Sequence, residues 1–279
     1  MTSSIIVLAV IGVIAAVLLW LAAKKFSVKE DPRIALVEAE LPGANCGACG
    51  CSGCAAFARA CVGAKSLDGL RCTSLPRGGM DKIAKIVGLA PAPEAVPKKA
   101  VIRCQNSCDL RKPLNHYDGP TSCAIEHSLY QGETDCIYGC LGLGDCVKAC
   151  PFGAMTLAPG ETLPSVDLEK CTGCGKCFEA CPRGLPEIVE APEDRLMVWV
   201  ACANADKGPV ALKECPVSCI GCGKCKKTCQ HEAITITSFL AHIDSSKCVG
   251  CAECEEACPR KSIHHIDRRV TLKTPVDAC

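Results

Sequence analysis

Cysteine is what most constrains this chain: 28 of its 279 residues are cysteine, most of them in short runs that end in Cys-Pro. Cys171-Thr-Gly-Cys174-Gly-Lys-Cys177-Phe-Glu-Ala-Cys181-Pro182 and Cys248-Val-Gly-Cys251-Ala-Glu-Cys254-Glu-Glu-Ala-Cys258-Pro259 both read C-x2-C-x2-C-x3-C-P. That spacing puts three thiolates on a tight loop around one 4Fe–4S cubane and sends the fourth across a helical turn to the neighbouring cube. Carriers of several such clusters transfer electrons. Structural zinc is the competing use, but it closes at four ligands from paired knuckles and has no need of a third cysteine or a terminal Cys-Pro. A disulfide framework belongs to small secreted chains, and no cleavable export signal is present.

The first segment bears on that point. Ile5 to Ala23 is an uncharged apolar run. At ~1.5 Å per residue a helix of this length reaches roughly 28 Å, against a bilayer core of about 30 Å. A single transmembrane anchor is expected over residues 1–26. Lys24 and Lys25 follow the run and no Lys or Arg precedes it, so the positive-inside rule puts the remainder, C terminus included, on the cytoplasmic side of a bacterial inner membrane, where thiols stay reduced.

Beyond the anchor, residues 31–89 hold one glycine-rich cysteine group, Cys46, Cys49, Cys51, Cys54, Cys61 and Cys72, flanked by expected helices over Arg33–Glu40, Ala55–Cys61 and Met80–Val87. Prolines between residues 90 and 99 mark an extended linker. The chain then repeats itself: residues 136–190 and 219–272 each alternate cysteine runs with short apolar segments. Ala233 to Thr237 with Ala241 to Asp244, and Ala154 to Leu157 with Ser165 to Asp167, read as hairpins. The expected architecture is a small α+β chain: a transmembrane helix, a single-cluster domain, and tandem double-cluster ferredoxin modules over 100–195 and 196–279. Aromatics are only 4% of residues, and modules this small bury little surface, so metal ligation must supply much of the stability. The formal net charge of +1 counts every cysteine as neutral; ligating thiolates make the cytoplasmic part anionic. No lysine-rich run suggests nucleic acid. Lys148, Lys176, Lys224, Lys226 and Lys227 stand beside ligand cysteines and suit either an acidic redox partner or ordinary solvation.

Spacing pairs Cys219, Cys222, Cys225 with Cys258, and Cys248, Cys251, Cys254 with Cys229, in the second module. In the first, Cys171, Cys174, Cys177 pair with Cys150, and Cys136, Cys140, Cys146 with Cys181, although the steps of x3 and x5 depart from the pattern. The strands Lys99–Cys104 and Leu196–Cys202 are expected to lie side by side. A sixth cluster is accordingly expected at Cys104, Cys123, Cys202 and Cys215, with Cys108 as substitute and Cys279 free; the alternative is that these are small buried hydrophobes.

Leu41-Pro-Gly-Ala-Asn-Cys46-Gly-Ala-Cys49-Gly-Cys-Ser-Gly-Cys54, Cys72 with Gly78-Gly79, and Tyr138-Gly-Cys-Leu-Gly-Leu-Gly-Asp-Cys146 followed by Cys150-Pro-Phe together resemble the B subunit of the Rnf ion-translocating electron transport complex, in its extended form, over nearly the whole length. The resemblance implies Cys46, Cys49, Cys54 and Cys72 as ligands of the N-terminal cluster, with Cys51 and Cys61 as free thiols. Twenty cysteines in five ligand sets lead us to expect at least five 4Fe–4S clusters, and the resemblance implies a role accepting electrons from soluble ferredoxin and passing them to flavin and membrane subunits and NAD. The chain itself offers no catalytic residues: it has no phosphate-binding glycine loop, no nucleophile constellation, and one apolar helix cannot form an ion path. The His264-His265 pair reads as surface rather than ligand. A tethered polyferredoxin subunit of a hydrogenase or formate dehydrogenase, an iron–sulfur redox sensor, and a structural metalloprotein are the alternatives. The motif from Leu41 to Cys72 argues against the first, and the lack of an output domain against the second.

Overall fold

Local signals place each helix of the N-terminal part. The structure, a computed structural model, describes residues 2–25, 30–76, 78–91, 96–105 and 114–267. Helix α1 covers Thr2–Lys25, and its apolar side chains stand exposed, Leu19 at 71%. Its uninterrupted stretch of described side chains runs from residue 9 to 22, and among the described residues no helix is long and apolar enough to cross a membrane. Asp31 caps α2 (Pro32–Glu40) by accepting from Arg33 N at 2.9 Å, with Pro32 in the first turn, where a missing N–H costs nothing. Helices α3 (Cys54–Gly63) and α4 (Gly79–Val87) complete a three-helix cluster, the last closed by Gly88 in the left-handed conformation that favours glycine. Val37, Phe57, Ala58, Cys61, Leu67, Ile83 and Ala84 form its core. The fully buried Cys61 packs here as a small hydrophobe.

The rest is built twice. The first copy comprises β1 (Lys98–Ile102), α5 (Cys123–Leu129), α6 (Asp145–Lys148), β2 (Met155–Thr156), β3 (Ser165–Val166), α7 (Lys176–Ala180) and β4 (Pro186–Glu190). The second comprises β5 (Met197–Val200), α8 (Gly208–Glu214), α9 (Lys224–Thr228), β6 (Ile234–Thr237), β7 (Leu240–Ile243), α10 (Glu253–Glu256) and β8 (Ile263–Ile266). Each copy has an inner hairpin, β2–β3 or β6–β7, and an antiparallel pair joining its first strand to its last, β1–β4 or β5–β8. The expected hairpins are present. Strands β1 and β5, expected side by side, are not hydrogen-bonded to each other as strands: each pairs within its own copy, while Val101 and Met197 share a core and Trp199 Nε1 donates to Ile102 O at 3.3 Å. Lys98 and Lys99, placed in the linker by sequence, open β1; residues 92–95 of that linker lie outside the described residues, as do Cys108 and Cys279.

Candidate metal centres

Four open cavities, of about 440, 360, 340 and 300 Å³, are each lined by a quartet of cysteines. In the second copy one is lined by Cys219, Cys222, Cys225 and Cys258, and the other by Cys229, Cys248, Cys251 and Cys254. In the first copy Cys150, Cys171, Cys174 and Cys177 line one. One local device recurs: a residue in the left-handed conformation, Gly144, Gly175, Gly223 or Ala252, turns the cysteine loop into the short helix that follows. That turn buries Cys146, Cys177, Cys225 and Cys254 on α6, α7, α9 and α10, while the cysteine after each helix crosses to the other cavity. Among the described residues no three His, Cys, Asp or Glu side chains group closely enough for a single metal ion. A cubane asks for a different shape, four thiolates each binding its own iron around one core, and four cysteines around each cavity fit that demand. Burial raises the thiols of Cys177 and Cys225 to about 11 and those of Cys146 and Cys254 to about 12, with neighbouring thiolates pushing the same way; bound iron offsets that charge.

The remaining first-copy cavity departs from the sequence reading. It is lined by Cys140, Cys146 and Cys181, with Cys123 and not Cys136. Counting back from Cys150-Pro151 in steps of x3, x2 and x2 gives Cys146, Leu143 and Cys140, so the pattern begins at Cys140 and lacks its second cysteine. Asp145, the first residue of α6, brings Cys123 in. Its Oδ2 accepts from Ser122 Oγ at 2.9 Å and from Ala124 N at 3.1 Å, while Lys148 Nζ donates to Thr121 O at 2.6 Å. These bonds hold the start of α5 beside Cys146.

Cys136 faces the junction of the two copies. Burial pushes its thiol up to about 11, with Cys104 and Cys215 close enough to add to the effect, and Asn204 Nδ2 reaches its Sγ at 3.6 Å. In the N-terminal domain burial raises Cys72, and Cys49, Cys46 and Cys54 surround it and push the same way. Asn45 orders that loop by accepting from Cys54 N at 2.8 Å. Cys51 bonds Cys49. Ser74 lies 3.8 Å from Cys46 Sγ and donates to Thr172 Oγ1 at 3.2 Å, tying this domain to the loop of Cys171 and Cys174. Of the flagged lysines, Lys148 pairs with Asp145 and Lys176 with Glu179, whereas Lys224, Lys226 and Lys227 are exposed beside Cys222. His265 is exposed, but His264 is half-buried against Gln105 and not on the open surface.

Comparison with known proteins agrees with this layout. A 4Fe-4S dicluster family profile matches residues 135–185 and 218–262, and a putative Fe-S cluster profile matches 41–68. The B subunit of the Na(+)-translocating ferredoxin:NAD(+) oxidoreductase complex of Acetobacterium woodii is 42% identical over 244 residues, 86% of this chain and 71% of that protein. The B subunit of the ion-translocating oxidoreductase complex of Methanosarcina acetivorans is 40% identical over 88% of this chain and 90% of its own length. The proton-translocating counterpart of Clostridium ljungdahlii is 38% identical over 87% and 84%. The chain belongs to the family of Rnf-complex B subunits. Cys104, Cys123, Cys202 and Cys215 of this Rnf B-type chain fall outside both dicluster matches.

Proposed function

We propose that this chain is the iron–sulfur electron-accepting subunit of a membrane-bound, ion-translocating ferredoxin:NAD oxidoreductase, taking electrons from reduced ferredoxin and relaying them towards flavin subunits and NAD. Bound 4Fe–4S clusters supply one-electron transfer. The chain's own residues hold, space and shield them: Cys46, Cys49, Cys54 and Cys72 in the N-terminal domain; Cys150, Cys171, Cys174 and Cys177; Cys123, Cys140, Cys146 and Cys181; Cys219, Cys222, Cys225 and Cys258; and Cys229, Cys248, Cys251 and Cys254. The observation that carries this reading is adjacency between quartets. Cys46 influences Cys174, Cys177 influences Cys146, and Cys225 influences Cys254. Backbone N–H groups donate to the sulfurs of Cys171, Cys150, Cys181 and Cys258 at 3.3 to 3.5 Å, and such bonds raise reduction potential.

The apolar run within α1, its exposed apolar face and the trailing Lys24 and Lys25 support anchoring in the inner membrane with the cysteine domains cytoplasmic. The exposed lysines of α9 beside Cys222 suit an acidic donor. In the test, anaerobically reconstituted protein is mixed with reduced clostridial-type ferredoxin, and bleaching of its visible absorbance is followed. We expect a rate that rises with ferredoxin and falls with salt. Protein that dithionite bleaches and ferredoxin does not would overturn the proposal, and eight irons or fewer per chain, where five quartets need about twenty, would overturn the ligand sets.

A further inference from the structure

Between the two copies lies a further quartet, made of cysteines that line none of the four cavities. Cys104 follows β1 as Cys202 follows β5, and Cys136 precedes Cys140 at the interval by which Cys215 precedes Cys219. The matched turns share a hydrogen bond, Gly139 N to Cys136 O at 3.1 Å and Ser218 N to Cys215 O at 3.2 Å. The internal repeat therefore brings two cysteines from each copy to one place. Cys136, Cys202 and Cys215 are buried there, at 7, 8 and 7% exposure, and each influences another member of the set: Cys136 by Cys104 and Cys215, Cys202 by Cys136, Cys215 by Cys104.

The surroundings offer donors and cations to these sulfurs, opposed by Glu214, which accepts from Asn204 Nδ2 at 2.7 Å and disfavours the thiolates of Cys136 and Cys215. Cys202 Sγ accepts from Asn204 N at 3.4 Å and Cys219 N at 3.3 Å, and Asn204 Nδ2 donates to Cys136 Sγ. Cationic side chains come from three directions. Arg103 Nη2 donates to Cys202 O at 3.4 Å, Arg183 Nη1 to Cys136 O at 3.5 Å, and Arg260 sits close enough to Cys215 to favour its thiolate. Arg260 Nε is buried with no hydrogen-bond partner among the described residues, which is costly; the side chain also lines the cavity of Cys219 and Cys258, so it stands between that cavity and Cys215 and would be relieved by an anion on either side.

We propose that Cys104, Cys136, Cys202 and Cys215 hold a sixth 4Fe–4S cluster that joins the two copies. Each thiol releases its proton to solvent and forms one bond from sulfur to iron. The inference rests on the relay reading and fills its one gap: Cys136 shares a loop with Cys140, and Cys202 accepts from Cys219 N, so the quartet stands between the cavities of Cys140 and Cys219. Cys136 takes the place that spacing and symmetry had suggested for Cys123.

Iron, sulfide and zinc are counted in anaerobically reconstituted full-length chain and in Cys136→Ser/Cys215→Ser. Six quartets at four irons each require about twenty-four irons in the wild type and about twenty in the double variant. The variant Asn204→Leu should keep full iron while lowering the potential of one cluster signal in a redox-titrated paramagnetic resonance spectrum. A wild type with about twenty irons, a double variant with wild-type iron, or one zinc per chain would each overturn the sixth cluster. If the double variant loses all its iron by misfolding, the wild-type count and the Asn204→Leu titration decide, and an unshifted titration also overturns it. Such failures leave reduction by ferredoxin intact, whereas failure of the relay reading abolishes that reduction whatever the iron count.

Discussion

In the second ferredoxin copy, both cavities are lined by cysteines of the repeated runs alone; in the first, Leu143 stands at the position of Cys222, and Cys123 comes in from a helix outside the runs. A quartet is thus a property of positions in space, and a repeat can lose one of its cysteines if a neighbouring element is pinned where the sulfur belongs. Here the pin is Asp145. The largest effect expected from this comparison is on iron content. Cys123→Ser should lose up to about four irons per chain, and adding Leu143→Cys should restore them by making the first copy like the second. Full iron in Cys123→Ser would break the assignment of Cys123 to this cavity.

Much of the site was legible because the x2-x2-x3-Pro rhythm is a local constraint. Cys150, Cys171, Cys174 and Cys177 line a single cavity, and so do both second-copy sets. Reading forward from the first cysteine of a run misled at Cys136; reading back from Cys150-Pro151 would have exposed Leu143 as the irregular position. That Cys123 fills the gap was not legible, since the bonds from Asp145 to Ser122 and Ala124 span more than twenty residues of loop. The pairing of β1 with β4 was missed for a related reason: both outer strands are short and apolar, and only the closing of each repeat on itself selects their partners.

The two copies also differ in how closely the hairpin turn presses on the first ligand loop. A Cβ at Gly221, φ +62°, would lie 2.5 Å from Phe239 O, whereas at Gly142, φ +80°, the nearest atom is Thr162 O at 3.1 Å. Both substitutions to alanine incur the left-handed penalty of about 1 kcal/mol and both meet backbone, but at Gly142 the Thr162 backbone need yield only slightly, whereas at Gly221 the overlap with the Phe239 backbone is severe. We expect about 3 kcal/mol for Gly221→Ala and about 1 to 2 kcal/mol for Gly142→Ala, read from urea midpoints of reconstituted protein. Equal losses would mean the Phe239 turn yields freely.

A smaller effect of opposite sign is expected at Ala252, φ 60°, the only non-glycine among the four residues that turn a cysteine loop into its helix. Ala252→Gly should stabilise the second copy by about 1 kcal/mol, and Gly175→Ala, its counterpart in the first, should destabilise by a similar amount. Opposite shifts in midpoint would sharpen the equivalence of the two copies; shifts of the same sign would break it.

The smallest expected effect concerns a position where the copies chose different chemistry. Glu187 in β4 and His264 in β8 occupy equivalent places. Glu187 is ion-paired with Arg103 at 3.4 Å and His242 at 2.7 Å, but His264 is tucked against Gln105 and the Trp199 ring, 6.1 Å between centroids. Burial lowers the pKa of His264; Glu255 opposes the shift and His265 adds to it. Because its folded pKa lies below the unfolded value near 6.5, its neutral form favours the folded state above that pH, and the contribution fades as pH falls through the folded pKa. The melting-temperature advantage of wild type over His264→Gln should therefore narrow between about pH 8 and about pH 5.5. Measuring the difference between the two proteins removes the acid sensitivity that their clusters share, so an advantage that stays constant over this range would show that His264 contributes by packing alone.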